Sequence, residues 1–226
     1  PPMRAMAPSA ARDAVLAALP ATLASDAILA DTILPAAEAL NAAHLATRGT
    51  PEVLDIGAQP EKPAASIIVP LYRNLEFLPF QVAAFAMDRS LREAELIYVL
   101  DSPEQRPDVE IALRHLAAIY AVPMRLVVPS NNFGYAAANN AGAAVARGEV
   151  LALLNSDVVP EGPGWLPALA APLEVAGIGA SGARLLFDDS SLQHAGLYFA
   201  ADDRGVWRNR PFFKGLGFYP YGAYYF

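Results

Sequence analysis

The sequence predicts an α/β fold in which helices cover both faces of a mostly parallel sheet, preceded by a short helical extension. Short apolar runs rich in β-branched residues alternate along the chain with longer segments whose apolar residues recur at helical spacing. Strands separated by helices of ordinary length require crossover connections, which make the strands parallel and cover the sheet on both sides. Of the 226 residues 54% are hydrophobic and 17% are charged, which is ample for a buried core.

Composition divides the chain into three regions. Residues 1–48 are rich in Ala and Leu at helical spacing, interrupted at Pro20 and Pro35, so we expect two or three short helices there. Residues 49–64 contain three Pro and two Gly among mixed charges, and we expect a linker without regular structure. Residues 65–226 remain as the α/β domain.

Four strands are predicted in this domain, each from a short apolar run. They are Ser66–Tyr72, Glu95–Leu100, Met124–Val128 and Val150–Leu154. The second and fourth are expected to be buried. Pro70 is expected to limit the pairing of the first strand on one side, because it has no backbone N–H.

Three helices are predicted between these strands. The first follows Asn74 as its cap, the second covers Asp108–Ala121, and the third covers Tyr135–Ala146 and ends at Gly148 in a left-handed conformation. The residues expected to face the core are Leu75, Leu78, Val82 and Phe85 in the first helix and Ile111, Leu113, Leu116 and Ile119 in the second.

Polar residues follow three of the strands. Arg73-Asn74, Asp101-Ser102 and Asn155-Ser156-Asp157 stand at the carboxyl ends, which meet at one edge of a parallel sheet. Asp101 is suited to accept hydrogen bonds from a base or ribose. Asp157 is suited to a divalent cation, Mg²⁺ or Mn²⁺, lying between the carboxylate and a nucleotide diphosphate. Each aspartate taken alone is equally typical of a turn or a helix cap.

The segment Asn131–Gly148 has two interpretations. Its many Gly and Ala residues let a helix lie close against the sheet or against a ligand, and simple helix packing is sufficient to explain them. Asn139 and Asn140 in the middle of the helix favour a polar partner, because Asn is a poor helix former that competes with the backbone for hydrogen bonds.

Composition also argues against several classes of partner. The net charge of −7 and the absence of a Lys/Arg run argue against polymeric nucleic acid. Zero cysteines exclude disulfides, thiolate metal sites and a Cys nucleophile. The apolar N-terminal region is interrupted by charged residues and Pro before the roughly 20 residues that span a bilayer, so we expect neither a transmembrane span nor a signal peptide.

Five motifs occur in an order that resembles the family-2 glycosyltransferases. They are SIIVPLYRN, YVLDS, NFGYAAANNAGAAVARGE, LLNSDVVP and GARLLFDDSSLQHAG, and the resemblance spans Ala65–Phe199. It implies the nucleotide-sugar-binding GT-A fold and an inverting transfer from a UDP- or dTDP-linked sugar to a saccharide or lipid-linked acceptor. Within the family, NNFGYAAANNAG and QHAG are similar to bacterial rhamnosyl- and galactofuranosyl-type transferases of surface polysaccharide assembly.

The resemblance also implies the residues of the donor site. Those expected to bind the nucleotide sugar are Pro70, Tyr72, Arg73, Asp101, Asn132, Gly134, Asn139, Asn155 and Asp157. The first three would lie on a nucleotide-binding loop, and Asp101 would hold the uracil or thymine ring or its ribose. Asn155-Ser156-Asp157 matches the family's D-x-D element, with Asp157 as the retained metal ligand.

The catalytic base is not assigned by the resemblance. The family usually supplies it from a Glu-Asp or Asp-Asp pair downstream of a hairpin, and none occurs after Asp203. Asp188-Asp189 is expected in the hairpin turn itself and is not assigned. Because the chain begins at Pro1 without Met, we expect a piece of a longer protein with its base beyond Phe226; His194 is the candidate within the chain.

Two other functions compete with glycosyl transfer. A catalytically incomplete module would bind the sugar nucleotide without transferring it. A nicotinamide or nucleotidyl-transferring enzyme is disfavoured, because LYRNLEF follows the first strand in place of a Gly-rich phosphate loop. The resemblance implies a cytoplasmic location at the inner face of the cell membrane, with peripheral membrane association.

Overall fold

The computed structural model describes residues 8–18, 26–46, 48–203 and 205–212, and within these the side chains of residues 44 and 45 are not described. Pro20 and Phe226 lie outside the described residues. The described chain divides into two compact units. The first comprises the residues up to Met87 together with Arg92–Val159, and the second comprises Asp88–Leu91 and the residues from Pro160.

The first unit is built on a five-stranded sheet. Its strands are β1 Glu52–Ile56, β2 Ala65–Leu71, β3 Ala94–Leu100, β4 Met124–Val128 and β5 Val150–Leu153, in the spatial order β1-β4-β3-β2-β5. Strands β2 to β5 are mutually parallel, and β1 pairs antiparallel with β4. The four predicted strands are therefore confirmed, each to within one residue at either end.

Strand β1 contradicts the prediction that residues 49–64 lack regular structure. Its five residues pair with β4 along their whole length, and the cross-strand pair Asp55–Arg125 forms an ion pair of 2.8 Å. Glu52 also accepts two hydrogen bonds of 2.7 Å from Arg106. Five residues between Pro and Gly give no readable period, so the prediction missed a strand that depends on its partner. The division into domains at residues 48 and 64 stays a prediction.

The effect of Pro70 agrees with the prediction. β2 pairs with β3 over all seven of its residues, but its pairing with β5 ends at Ile68. Because the carbonyl of Ile68 accepts from Leu154 N and that of Leu71 accepts from Asp101 N, the nitrogen of Pro70 faces the β5 side. The missing N–H falls beyond the last paired residue and leaves no ladder bond unmade.

Helices cover both faces of the sheet. They are α1 Pro8–Ala18, α2 Asp26–Ile28, α3 Leu34–Ala46, α4 Leu78–Met87, α5 Arg106–Tyr120 and α6 Tyr135–Val145, with a π-helical segment, Leu29–Ile33, between α2 and α3. α6 packs on the Val99 side of β3, and α4 reaches Tyr98 through Gln81. Neighbouring residues of a strand point to opposite faces, so α4 and α6 lie on opposite sides. The short helices predicted before residue 48 are confirmed for the described residues.

Three details of the predicted helices are wrong. Ile111 is 56% exposed and Ile119 71% exposed, because the buried face of α5 is Val109, Leu113 and Leu116. Asn74 accepts from the N–H of Glu76 in a turn that precedes α4, so it does not cap that helix. Gly148 has no left-handed conformation; a Cβ there would lie 2.5 Å from the carbonyl carbon of Ala65, so close backbone approach requires glycine.

Strand β5 is less buried than predicted. Leu151 is 47% exposed and Leu153 is 59% exposed. β5 is the last strand of the five-stranded sheet on its side. Its outer edge and these two side chains therefore lack the cover that an interior strand has.

A cluster of polar and charged residues, Ser66, Glu95 and Arg147, lies at the amino-terminal edge of the sheet. Glu95 is 1% exposed and accepts hydrogen bonds from Ser66 Oγ and from the backbone and side chain of Arg147. Burial raises the pKa of Glu95, but the hydrogen bonds from Ser66 and Arg147 outweigh it and hold that pKa below its ordinary value. The carboxylate thus fixes the connection from α6 to β5, at the edge of the sheet opposite the carboxyl ends of the parallel strands.

The second unit contains helix α7 Trp165–Ala170 and two hairpins, formed by strands β6 Leu185–Leu186 with β7 Leu192–His194 and β8 Leu197–Ala201 with β9 Trp207–Pro211. Asp188 and Asp189 lie in the turn between β6 and β7, as predicted. Among the described helices of both units, none has the length and apolar character needed to cross a bilayer.

Candidate functional site

The loops that follow β2, β3, β4 and β5 lie at one edge of the sheet, because these strands are parallel. Every residue of the first unit that was predicted to bind the nucleotide sugar belongs to one of these loops, to the end of β2 or to the first turns of α6. The predicted convergence of polar groups at this edge is therefore present in the fold.

Asp101 organises the loop after β4. Its carboxylate accepts from the backbone N–H of Phe133 (2.5 Å) and of Gly134 (2.9 Å), and from Nδ2 of Asn132 (3.2 Å), which also donates to the Asp101 carbonyl (2.8 Å). Asp101 is only 4% exposed. A carboxylate has about four acceptor positions, so these three hydrogen bonds leave one lone pair unused. Gly134 adopts φ 78°, which a residue with a side chain rarely does, and it precedes α6.

The loop after β2 presents an aromatic ring and a cation. The guanidinium of Arg73 lies over the ring of Tyr72 at 5.0 Å, and Arg73 has a left-handed backbone with φ 60°. Its N–H donates to Ser102 Oγ at 3.3 Å, and its carbonyl accepts from Gln105 Nε2 at 3.2 Å. These bonds hold a conformation that costs about 1–2 kcal/mol for a residue with a Cβ.

The loop after β5 is held from two sides. The hydroxyl of Tyr135 donates to Asn155 Oδ1 at 2.9 Å. From α4, Gln81 Nε2 donates to the carbonyls of Asn155 (3.2 Å) and Val158 (2.8 Å). Gln81 Oε1 in turn accepts from the buried Tyr98 hydroxyl (3.2 Å). The turn that contains Asp157 is thus fixed at its start and end.

The carboxylate of Asp157 is exposed, and in the part of the chain that is described no residue forms a hydrogen bond or ion pair with it. Nor do the described residues include a group of three or more His, Cys, Asp or Glu that would hold a metal ion by themselves. One free carboxylate fits a cation that takes its other ligands from phosphate oxygens and water, as Mg²⁺ commonly does. The donor set suits that arrangement and does not form a closed protein cage.

The remaining predicted residues lie as follows. Pro70 is buried within β2 and so is not on the loop where it was expected, which begins after Leu71. Asn139 is buried on α6; its Nδ2 donates to the Tyr135 carbonyl at 2.9 Å, and its Oδ1 is buried without a hydrogen bond. His194 belongs to the second unit, where it ends β7 and pairs with Leu185.

Three residues of the site were not identified from the sequence. They are Gln81, Gln105 and Tyr135. Gln81 could have been identified, because it is the one polar residue of α4 and lies on the apolar face of that helix between Leu78 and Val82. The others bond to residues in distant loops, and one sequence does not reveal such pairs.

The chain is similar in sequence to a family of glycosyltransferases and to two bacterial proteins. The family model described as Glycosyl transferase family 2 matches residues 66–223. An uncharacterized protein of Sinorhizobium fredii is 34% identical over 137 residues, and the O-antigen biosynthesis protein RfbC of Myxococcus xanthus is 31% identical over 135. Each alignment covers 60% of this chain, which spans only 15% and 10% of the two relatives' lengths.

A mannosyltransferase from Pyrobaculum calidifontis, solved in complex with GDP-Man and Mn²⁺, is similar over 47% of this chain and 31% of its own, with 22% sequence identity and a TM-score of 0.40. The family match covers most of the chain and includes the whole polar edge described above. The chain therefore belongs to glycosyl transferase family 2, and its central sheet has the GT-A architecture.

Proposed function

We propose that the polar edge of the sheet binds a nucleoside diphosphate sugar, and that this chain is the donor-binding part of a glycosyltransferase. The observation that carries the proposal is that two loops at this edge each present a carboxylate. One holds Asp101 with its remaining lone pair, and the other presents a free carboxylate at Asp157.

The nucleoside end of the donor is assigned to the loops after β2 and β3. Tyr72 is half exposed and offers a face for a base, and Asp101 offers an acceptor for a base N–H or a ribose hydroxyl. Arg73 supplies a cation beside them. Asn132 and Gly134 serve this end through their bonds to Asp101, and Asn139 and Pro70 support the surrounding helix and strand.

The diphosphate end is assigned to Asn155 and Asp157. The Tyr135 hydroxyl bonds to Asn155 Oδ1, and Nδ2 of the same amide has no partner among the described residues, so it can donate to a phosphate or ribose oxygen. Asp157 would hold one Mg²⁺ or Mn²⁺, which supplies charge neutralisation to the departing diphosphate. Asn155 and Asp157 thereby orient the donor so that its anomeric carbon is open to attack.

The finer features of the reaction belong to the same proposal. It is an inverting displacement by a hydroxyl of a saccharide or lipid-linked acceptor, with a rhamnosyl- or galactofuranosyl-type donor linked to UDP or dTDP. The similarity to an O-antigen biosynthesis protein supports a role in bacterial surface polysaccharide synthesis. The location at the inner face of the membrane is part of the same proposal. No residue of the first unit is assigned as base, and His194 stays the candidate in the second.

Calorimetric titration of the chain with UDP, dTDP, UMP and uridine in the presence of Mn²⁺ tests this proposal. We expect UDP or dTDP to bind at least about tenfold more tightly than UMP, because the second phosphate completes the metal's ligands. Equal affinity for UDP and UMP would contradict the assignment of the diphosphate to Asn155 and Asp157. Binding of none of them would overturn the whole assignment. Binding without transfer to any acceptor would favour the incomplete module.

A further inference from the structure

Arg48 lies outside the segment that matches the family, yet it contacts the loop that closes around Asp101. Its Nη2 donates to the carbonyl of Phe133 at 2.9 Å. Its guanidinium also lies over the Phe133 ring, 4.7 Å from the ring centre. The family match begins at residue 66, so this contact joins the N-terminal region to the candidate site.

Phe133 is fixed on both sides of its Cα by these bonds. Its N–H donates to Asp101 Oδ1, and its carbonyl accepts from Arg48. Phe133 is 8% exposed, and the guanidinium of Arg48 covers one face of its ring. The next N–H, that of Gly134, donates to Asp101 Oδ2 and leads into α6. Arg48 therefore acts on the peptide that holds Asp101 in place.

The position of Arg48 is set by the strand that follows it. Residues 48–56, which we call the edge segment, run into β1, which pairs with β4 along its length. A Cβ at Gly49 would lie 3.5 Å from Ser130 Oγ, so the edge segment lies against the start of the same loop. Glu52 anchors it again by accepting two hydrogen bonds from Arg106.

We propose that Arg48 is a positioning residue of the donor site, through which the N-terminal region orders the loop of residues 130–134 around Asp101. The inference rests on the proposed function for its consequence, nucleotide affinity. Its structural content, the ordering of the loop, stands on the contacts of Arg48 with Phe133. Residues 48–56 would then be an integral part of the donor-binding domain, and the predicted linker would have a functional role.

The test compares Arg48→Met with Arg106→Met. Both changes remove a guanidinium from a contact of the edge segment, but only Arg48 contacts Phe133. Amide hydrogen exchange of Phe133 and Gly134 is measured without nucleotide, and UDP affinity is measured in parallel. We expect Arg48→Met to speed exchange of these two amides and weaken UDP binding, each by about tenfold, and Arg106→Met to change neither by more than about twofold.

Unchanged exchange in Arg48→Met, or equal effects of the two variants, would overturn the inference, because the second result would reflect general loosening of the edge segment. If Arg48→Met fails to fold, Arg48→Lys takes its place. Lys keeps the charge but not the planar contact with the ring, so the amides of Phe133 and Gly134 should exchange faster than in the unmodified chain and in Arg106→Met, and equal exchange in all three would overturn the inference. If the unmodified chain binds no nucleotide, the proposed function fails, and amide exchange still decides whether Arg48 orders the loop.

Discussion

The hydroxyl of Tyr135 donates a 2.9 Å hydrogen bond to Asn155 Oδ1, and this contact orients the Asn155 amide. Its two N–H groups form no hydrogen bond with the described residues. Asn155 stands where the family's D-x-D element has a carboxylate, so the first position of this site offers hydrogen-bond donors and the cation is left to Asp157.

Asn155→Asp tests that assignment by the sign of its effect. A carboxylate accepts the Tyr135 hydrogen bond equally well, but it removes both N–H donors and adds negative charge beside the diphosphate. We expect UDP affinity measured without metal to fall about tenfold or more. Unchanged or tighter metal-free binding would mean that the oxygen of Asn155, and not its nitrogen, faces the ligand.

Tyr135→Phe removes only the hydroxyl that holds Asn155. Because Tyr135 is 62% exposed, the free energy of unfolding should change by less than about 0.5 kcal/mol. UDP affinity should fall about three- to tenfold, as expected for the loss of one orienting hydrogen bond. Chemical denaturation and titration calorimetry on the same preparation separate the two effects. A loss of stability with unchanged affinity would assign Tyr135 a structural role only.

Gln81→Leu keeps the side-chain volume but removes three hydrogen bonds beneath the loop after β5. Burial raises the pKa of Tyr98, so its phenol stays protonated and would lose its acceptor. We expect destabilisation of about 2–4 kcal/mol in urea unfolding, since buried polar groups are left unpaired. Gln105→Leu is the control. One of the two hydrogen bonds of Gln105 is exposed, and Ser102 Oγ keeps the bond from the N–H of Arg73, so the cost should stay below about 1 kcal/mol. Equal costs would contradict the account.

Acid should weaken the fold partly through Glu95. Its folded pKa lies below its ordinary value of 4.5, so the carboxylate stabilises the fold above that pH, and this contribution is lost as the pH falls through the folded pKa. Unfolding free energies measured between pH 7 and pH 3 should fall more steeply below pH 4.5 in the unmodified chain than in Glu95→Gln. Parallel curves would show that Glu95 titrates alike in both states.

Much of the central sheet was predictable because its strands are continuous apolar runs. Val99 and Ile68 face α6. A strand that is buried on both faces has apolar residues at nearly every position, so it can be recognised in the sequence. β1 was not predictable, because its five residues are stabilised by β4 and by two ion pairs with distant arginines. Ile111 was misassigned because its apolar character alone does not fix the face: it stands two positions after Val109, on the side of the helix opposite the buried Val109, Leu113 and Leu116.

Individual residues of the site were predictable from the sequence, but the contacts between them were not. Asp101 and Asp157 were identified because each follows a strand, and parallel strands bring their carboxyl ends together. The network between the loops was not, because the bonds of Gln81 to Val158 and of Arg48 to Phe133 join residues 77 and 85 positions apart. Neither partner in such a pair has a local pattern that points to the other.

The most direct measurement is the affinity of the chain for UDP with and without Mn²⁺, compared between the unmodified chain and Asp157→Asn. Asp108→Asn, a change at another exposed aspartate, is the control. The account predicts that Mn²⁺ tightens UDP binding about tenfold or more in the unmodified chain and in Asp108→Asn, and leaves it unchanged in Asp157→Asn. A metal effect that survives in Asp157→Asn would contradict the account.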